Sequence, residues 1–422
     1  MFEAWPNHIR HGRMVTLLFS RHGSAARHET TPSGEPRGAI VMKIESVTAH
    51  PLRTELETPF AFSQGWVCAR CATLVEIRTD DGLVGWGEAF CQGLEAPEIS
   101  ATIIRDCFAR MITGQSPLDT ERLWFEMYNR SRDFGRKGSV MAAISAIDTA
   151  LWDIAGKAYG RPVWQLLGGA FRREVEPYAT GFYRVTGQGE AARLVEEAHM
   201  HHERGFRFMK VKIGFGVEDD IEVMNAIHAA MEGSGVTLMV DANHAYGRAE
   251  AIYLGEAMAD MGLRWFEEPV VPEDLDSYAH LRDRLPMAIA GGENEHGLYG
   301  FNALFRAGAV DIAQPDIGSC GGITGMRHIM ALAQASGIEV NPHVWGSSVA
   351  QAASLQVIAA LPDAHHALFA RQPILEYDQS AHPFRNDLTT RPMTMKEGRV
   401  AIPDAPGLGI EVRRDTVEAY RI

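Results

Sequence analysis

The sequence predicts an α/β protein in which a (β/α)8 barrel carries an α+β cap, and three observations lead there. Eight short β-rich runs alternate with amphipathic helical patterns over the C-terminal two-thirds of the chain. Six of those runs end in a lysine, an acid or a histidine, at intervals of 29, 26, 26, 23 and 27 residues, each about one βα unit. The segment ahead of them has a different texture, with alternating strands followed by a long helical stretch.

In chain order, residues 1–41 contain arginine but no lysine and run loosely from Glu29 to Gly38. They read as a disordered leader, either a tail or sequence upstream of a start at Met42. The apolar patch from Met14 to Phe19 is too short for a signal-peptide core. From Met42 to Thr79 the apolar residues alternate as in strands, and Thr79-Asp80-Asp81-Gly82 supplies a hairpin turn before Trp86-Gly87-Glu88. Residues 98–160 are helical in pattern until Gly160-Arg161-Pro162 breaks it. Residues 42–168 therefore form the expected cap and 169–376 the barrel, with 377–422 returning to the cap.

The barrel strands are expected at 175–180, 208–213, 237–241, 264–267, 287–290, 311–315, 339–343 and 373–376. Helical patterns lie between them, as at 191–203, 220–231, 249–261 and 323–336. Such alternation predicts parallel strands joined by crossovers, and eight strands close a barrel. An open doubly wound sheet would want a glycine-rich turn after its first strand, and Gly181-Phe182-Tyr183 is no such turn.

Composition narrows the function. The 422 residues are 46% hydrophobic and 22% charged, ordinary for a globular protein, and carry a formal net charge of −14, which argues against a nucleic-acid partner. No run of about eighteen apolar residues marks a membrane span, so the expected location is the cytoplasm. Five cysteines are too few for a disulfide scaffold. Cys68 and Cys71 lie three apart on a predicted strand, so their thiols point to opposite faces and do not converge on a metal.

In a parallel barrel all strand C-termini share one face, so Lys212, Asp241, Glu267, Glu293, Asp316 and His343 converge on one basin. Asp241, Glu267 and Glu293 come from successive strands and would repel one another without a cation between them. Oxygen-only ligation with positions left for substrate and water favours Mg²⁺. Asn243, two residues beyond Asp241, faces the same way, as a support for a ligand oxygen or as a turn residue. Lys210 and Lys212 both point into the barrel. Mutual repulsion and burial are expected to lower the pKa of Lys212, making it a general base, while Lys210 either shares that role or pairs with a metal-site carboxylate. Asp316 orients His343 as a second base or acid. Glu376, among Ile374, Leu375 and Tyr377, is expected to be protonated and to donate to a developing oxyanion.

These parts suit removal of a proton α to a carboxylate, with the metal and Glu376 stabilising the enediolate. Lys210-Val211-Lys212, Asp241-Ala242-Asn243, Phe266-Glu267-Glu268-Pro269, Gly292-Glu293-Asn294, Gln314-Pro315-Asp316 and Pro342-His343 resemble the mandelate racemase group of the enolase superfamily from Met42 onward. A Lys or His base working with Mg²⁺ is the arrangement that superfamily uses to form and hold an enediolate. Within the group, the stretches 211–217, 265–272 and 342–346 resemble sugar-acid enzymes of the galactarolactone cycloisomerase type. The resemblance implies metal ligands at Asp241, Glu267 and Glu293, and bases at Lys212 and at His343 with Asp316. It also implies a small sugar-acid or lactone substrate, no nucleic-acid or membrane partner, and a homo-oligomer. The expected reaction is ring-opening β-elimination. Dehydration of an aldonate or aldarate is the main alternative, racemisation or epimerisation a lesser one, and an inactive ligand-binding barrel the alternative from another class. Specificity is expected from the cap loops at about 58–70 and 89–97.

Overall fold

A computed structural model describes residues 42–365 and 367–422, so the leader expected at 1–41 lies outside the described residues. The chain opens with an antiparallel meander of β1 (Ile44–Phe62), β2 (Gly65–Thr79) and β3 (Val84–Ala89). Its second turn needs a left-handed residue, supplied by Gly82 at φ +91°. Cys68 is exposed and Cys71 buried on β2, as alternation requires.

Helices α1 (Glu98–Ile103), α2 (Ala109–Ile112), α3 (Thr120–Ser131) and α4 (Ser139–Ala158) follow, with a π-helical turn, Ile104–Phe108, joining the first two. By length and composition α4 could cross a membrane, but it is almost wholly buried and forms the core helix of the cap. It lies so close to β3 that a Cβ on Gly87 would stand 2.0 Å from the Ala146 carbonyl oxygen. Only glycine fits there.

A short α5 (Val163–Leu166) and β4 (Glu174–Val175) lead to the barrel. Its strands are β5 (Pro177–Gly181), β6 (Phe208–Lys212), β7 (Thr237–Asp241), β8 (Trp265–Glu267), β9 (Ala288–Gly291), β10 (Ile312–Ala313), β11 (Glu339–Val340) and β12 (Leu375–Asp378). The intervening helices are α6 (Ala191–Glu203), α7 (Val217–Ala230), α8 (Arg248–Ala257), α9 (Leu275–Arg284), α10 (Gly297–Arg306), α11 (Gly322–Ser336) and α12 (Ser348–Ala360). All ladders between these strands are parallel, in the order β11-β10-β9-β8-β7-β6-β5-β12. The curled sheet has a seam between β11 and β12 that side chains bridge. Asn341 Oδ1 accepts from the Ile374 N–H at 2.9 Å, and Glu376 Oε2 accepts from the Val344 N–H at 2.8 Å. Tyr178, Met239, Trp265, Ala290, Ile312 and Ile374 pack together inside the barrel, with Tyr178 edge-on to Trp265.

All the barrel strands but β7 differ from the sequence expectation at one or both bounds, by up to three residues, and the first differs in its pairing as well. Val175 does not open the first barrel strand but pairs in β4 with the chain's tail, and the barrel strand begins at Pro177. The tail continues through α13 (Pro383–Asn386), β13 (Met395–Lys396), β14 (Arg399–Ala401) and α14 (Arg414–Tyr420). It ends against the cap meander: Leu52 bridges Arg421, and Arg414 clasps Glu76 at 2.6 and 2.7 Å.

Cap and barrel are also joined at the start of α11. Asp148 of α4 accepts from the Thr324 N–H at 2.8 Å, and Ser145 accepts from the Gly321 N–H at 2.8 Å. Desolvation pushes Asp148 up to about 7, and its other oxygen has no donor. A carboxyl pKa above its unfolded value near 4 means that folding favours the protonated form. Its contribution is therefore complete below about pH 4 and is lost as pH rises through 7. We expect Asp148→Asn, which keeps an acceptor without the charge, to flatten the loss of stability between about pH 4 and 7; denaturant midpoints across that range measure it.

Candidate active site

The strand ends place the acid and base groups as parallel ladders require. β6 and β7 pair Lys212 with Asp241, and β7 and β8 pair Asp241 with Glu267, so three functional side chains share one level. Glu293 follows β9 by two residues, and Asp316 and His343 form a parallel bridge beyond β10 and β11. All are buried. Asp241, Glu267 and Glu293 each offer an oxygen within 4.8 Å of the others, a geometry able to hold a metal ion.

This cluster is fastened from below. Lys210 Nζ meets Glu267 at 2.5 Å, Glu376 at 2.8 Å and Asp241 at 3.5 Å. The other oxygen of Glu267 accepts from Trp265 Nε1 at 2.8 Å and Gln314 Nε2 at 2.6 Å. Glu293 is held less. Its Oε1 accepts from Asn243 at 3.4 Å, and its buried Oε2 has no hydrogen-bond donor, with His343 Nε2 3.4 Å away but out of line. An unsatisfied buried carboxylate oxygen in an all-oxygen set is what a hard cation would complete.

Two expectations about ionisation are corrected. Burial lowers the Lys212 pKa and Lys210 adds to that, but the direct contact with Asp241 outweighs both, so its pKa is raised rather than lowered. Asn243 also receives a bond from Lys212, at 2.9 Å to its Oδ1. Glu376 is no protonated donor. Burial raises its pKa, yet Lys210 and His343 more than reverse this, and the group is an ionised acceptor for Thr180 Oγ1 and the Val344 N–H, both at 2.8 Å. Its apolar sequence neighbours are misleading because the charge that matters comes from another strand.

The imidazole of His343 is bonded through Nδ1 to Asp316 at 2.7 Å. Burial would lower its pKa, but Glu293, Glu376 and Asp316 raise it to about 10. Lys212 and His343 line a pocket together with Asn243, Glu293, Phe62, Phe90, Gln92, Tyr183 and Trp345.

Of the last five, Phe62, Phe90 and Gln92 fall in the cap loops expected to set specificity, although nothing in the sequence singles them out, and Tyr183 and Trp345 follow strand ends, where the one-unit spacing would have pointed to them. Sequence reasoning misses Glu88 as well. From β3 it accepts from the Ser347 hydroxyl and from the N–H groups of Ser347 and Ala350, at 2.8 and 3.1 Å, and so caps α12, the helix after His343. Phe90 donates its N–H to Gly318, just beyond Asp316, at 3.0 Å and sets its ring edge-on to His343. At the β1–β2 turn, Ser63 donates to the Ala242 carbonyl at 2.8 Å and Gln64 to that of Asn243 at 2.7 Å. Asn243 itself sits at φ +42°, so the cap grips a strained turn beside Lys212.

Comparison with known proteins agrees with this geometry. Residues 43–168 match the mandelate racemase/muconate lactonizing enzyme N-terminal domain, and residues 193–416 the enolase C-terminal domain-like family. The chain is 43% identical over 381 residues to D-galactarolactone cycloisomerase of Agrobacterium fabrum, covering 90% of this chain and 99% of that one. Its fold is similar to that of the 3,6-anhydro-D-galactonate cycloisomerase of Zobellia galactanivorans, with a TM-score of 0.80 and 38% identity over 90% and 99% of the two chains. It is also similar to a Streptomyces coelicolor racemase with bound magnesium, with a TM-score of 0.80 and 29% identity over 90% and 100%. With its capping segment and its barrel both matched, the chain belongs to the mandelate racemase/muconate lactonizing enzyme family of the enolase superfamily.

Proposed function

We propose that this protein is a Mg²⁺-dependent enzyme that removes the α-proton of a sugar acid and expels the β-oxygen of its ring, converting a lactone or cyclic ether into an open-chain isomer. The observation that carries the reading is the oxygen-only triad Asp241, Glu267 and Glu293, flanked by Lys212 on one side and the His343–Asp316 pair on the other. The triad would hold the cation, and an octahedral hard ion with open positions suits it best. When bound, Mg²⁺ supplies positive charge that binds the substrate carboxylate and offsets the charge developing there. The magnesium in the Streptomyces coelicolor relative supports this choice.

The chain's own groups do the rest. Lys212 and His343 approach the cavity from different strands, so one takes the α-proton and the other delivers a proton. Asp316 holds the imidazole with Nε2 toward the cavity. Lys210 and Glu376 act behind these groups, keeping the carboxylates in place. The aromatic lid of Phe62, Phe90, Tyr183 and Trp345 excludes water, which strengthens every charge interaction below it. The names of the Agrobacterium and Zobellia relatives support ring opening over loss of water.

Chelation should abolish activity and added Mg²⁺ restore it, while Asp241→Asn, Glu267→Gln and Glu293→Gln should each reduce kcat/KM to background. Full turnover by metal-free protein would overturn the reading. The two bases separate by isotope exchange. With the delivering residue substituted, as Lys212→Ala or His343→Asn, the α-proton should still wash out in deuterated water without product, whereas loss of exchange in both variants would show that they do not divide the work. Product mass decides the reaction. A sugar-acid lactone should give an open-chain acid of unchanged mass carrying one deuterium from heavy water, and products lighter by one water, formed from open-chain acids alone, would make the enzyme a dehydratase.

A further inference from the structure

Two cysteines meet where the cap meander passes into the loop beside the pocket. The β2–β3 ladder ends with Thr73 opposite Ala89, but the chain stays in register beyond it. A Cβ on Gly93 would stand 2.8 Å from the Ala69 carbonyl oxygen, so residue 93 lies against residue 69. Residue 91 therefore falls opposite residue 71, and Cys71 and Cys91 pack together with Ala69, their thiols in hydrogen-bonding contact. Opposed residues of antiparallel strands have Cα atoms about 4.5–5.5 Å apart, inside the span of about 4.4–6.8 Å that a disulfide bridges.

The other cysteines are placed differently. Cys68, three residues from Cys71, is exposed on the opposite face of β2. Cys107 is exposed in the π-helical turn, and Cys320 is buried ahead of α11. Nor are the two paired thiols equivalent. The bond from Cys91 and the nearby Arg53 guanidinium draw Cys71 below the ordinary thiol value, against burial, whereas the same bond and burial push Cys91 well up. Cys71 is the better nucleophile, with a neutral thiol in contact. Each residue is 6% exposed, an opening that suits a small oxidant.

We propose that Cys71 and Cys91 are a redox modification site, where a hydroperoxide converts the thiol pair into a disulfide that fastens the loop of residues 89–97. The Cys71 thiolate attacks a peroxide oxygen and breaks the O–O bond, leaving a sulfenic acid on Cys71 and, from hydrogen peroxide, one water. The Cys91 sulfur then attacks the Cys71 sulfur, and the displaced hydroxide takes up the thiol proton as a second water. Two thiols and one hydrogen peroxide give one disulfide and two waters, and a dithiol reductant returns both thiols.

The bridge would hold the loop at both ends from one face of β2. Thr73, two residues from Cys71 and so on the same face, already donates its hydroxyl to the Pro97 carbonyl at 2.6 Å. The Cys91 sulfur otherwise lies 3.7 Å from the Glu95 carbonyl, a contact inside the loop. Cys91 stands between Phe90, which is edge-on to His343, and Gln92, and both neighbours line the pocket. Oxidation would therefore fix the two residues through which this loop reaches the active site.

The test treats the reduced full-length protein with hydrogen peroxide, alkylates the remaining thiols and maps peptides without reduction. We expect one pair of peptides joined through Cys71 and Cys91 and separated by dithiothreitol, with Cys68, Cys107 and Cys320 unlinked. Cys91→Ala should stop at a sulfenic acid on Cys71, trapped by a dimedone reagent, and Cys71→Ala should give neither a linkage nor a sulfenic acid on Cys91. Thermal unfolding checks that each variant is folded, with serine replacing alanine where it is not. Cleavage after Glu95 by a glutamate-specific protease requires the loop to open, and should slow by about tenfold or more on oxidation and recover on reduction. Cys71 and Cys91 recovered as separate alkylated or over-oxidised residues, or joined to other cysteines, overturns the inference, as does a linked protein whose loop is cleaved at an unchanged rate. No substrate enters these measurements, so their failure leaves the sugar-acid reading standing.

Discussion

One buried ammonium makes the rest of the active site tenable. Lys210 is fully buried and reaches Glu267, Glu376 and Asp241, which come from three different strands. Gathering those carboxylates without a counter-charge would leave buried charge uncompensated, at a cost of about 3–5 kcal/mol for each broken pair. The lysine thus fixes the spacing of β7, β8 and β12 around β6 and sets the floor on which a cation can sit. Through Glu376 its influence reaches the β11–β12 seam, since the same carboxylate accepts from the Val344 N–H next to His343.

Cap and barrel are coupled by helix capping across domains. Helix N-termini leave N–H groups without partners. Here Asp148 and Ser145 supply acceptors at α11, and Glu88 does so at α12. These two helices follow the strand ends that carry Asp316 and His343. At the turn beyond Asp241 the direction is reversed, with Ser63 and Gln64 donating to the carbonyls of Ala242 and Asn243. The cap therefore closes the cavity and also sets the loops that aim the acid and base groups. A local helix cap would position its helix equally well, but it would not tie that position to the presence of the lid.

This arrangement sets charged and aromatic groups side by side. Charge is concentrated at the strand ends, where carboxylates, lysines and an imidazole balance one another. The aromatic residues Phe62, Phe90, Tyr183 and Trp345 line the same pocket without charge of their own, with Tyr183 beside Lys212 and Phe90 edge-on to His343.

Much of this architecture is legible in the sequence because it depends on period and order. The one-unit spacing of Lys212, Asp241, Glu267, Glu293, Asp316 and His343 follows from parallel strands with helical crossovers, and those residues stand together at the strand ends. Two-residue periodicity likewise puts Lys210 and Lys212 on one face. What sequence order could not supply is the electrostatic sign at each group. The attraction of Asp241 for Lys212 exceeds the repulsion from Lys210, so the Lys212 pKa rises where repulsion alone would lower it. Glu376 is ionised because Lys210, more than 160 residues earlier, lies 2.8 Å away. Glu88 acquires its role only when the cap docks on the barrel. Periodicity is local and can be read along a chain, whereas desolvation and Coulomb energies depend on which distant residues are brought within a few ångströms, and that is decided by the tertiary structure.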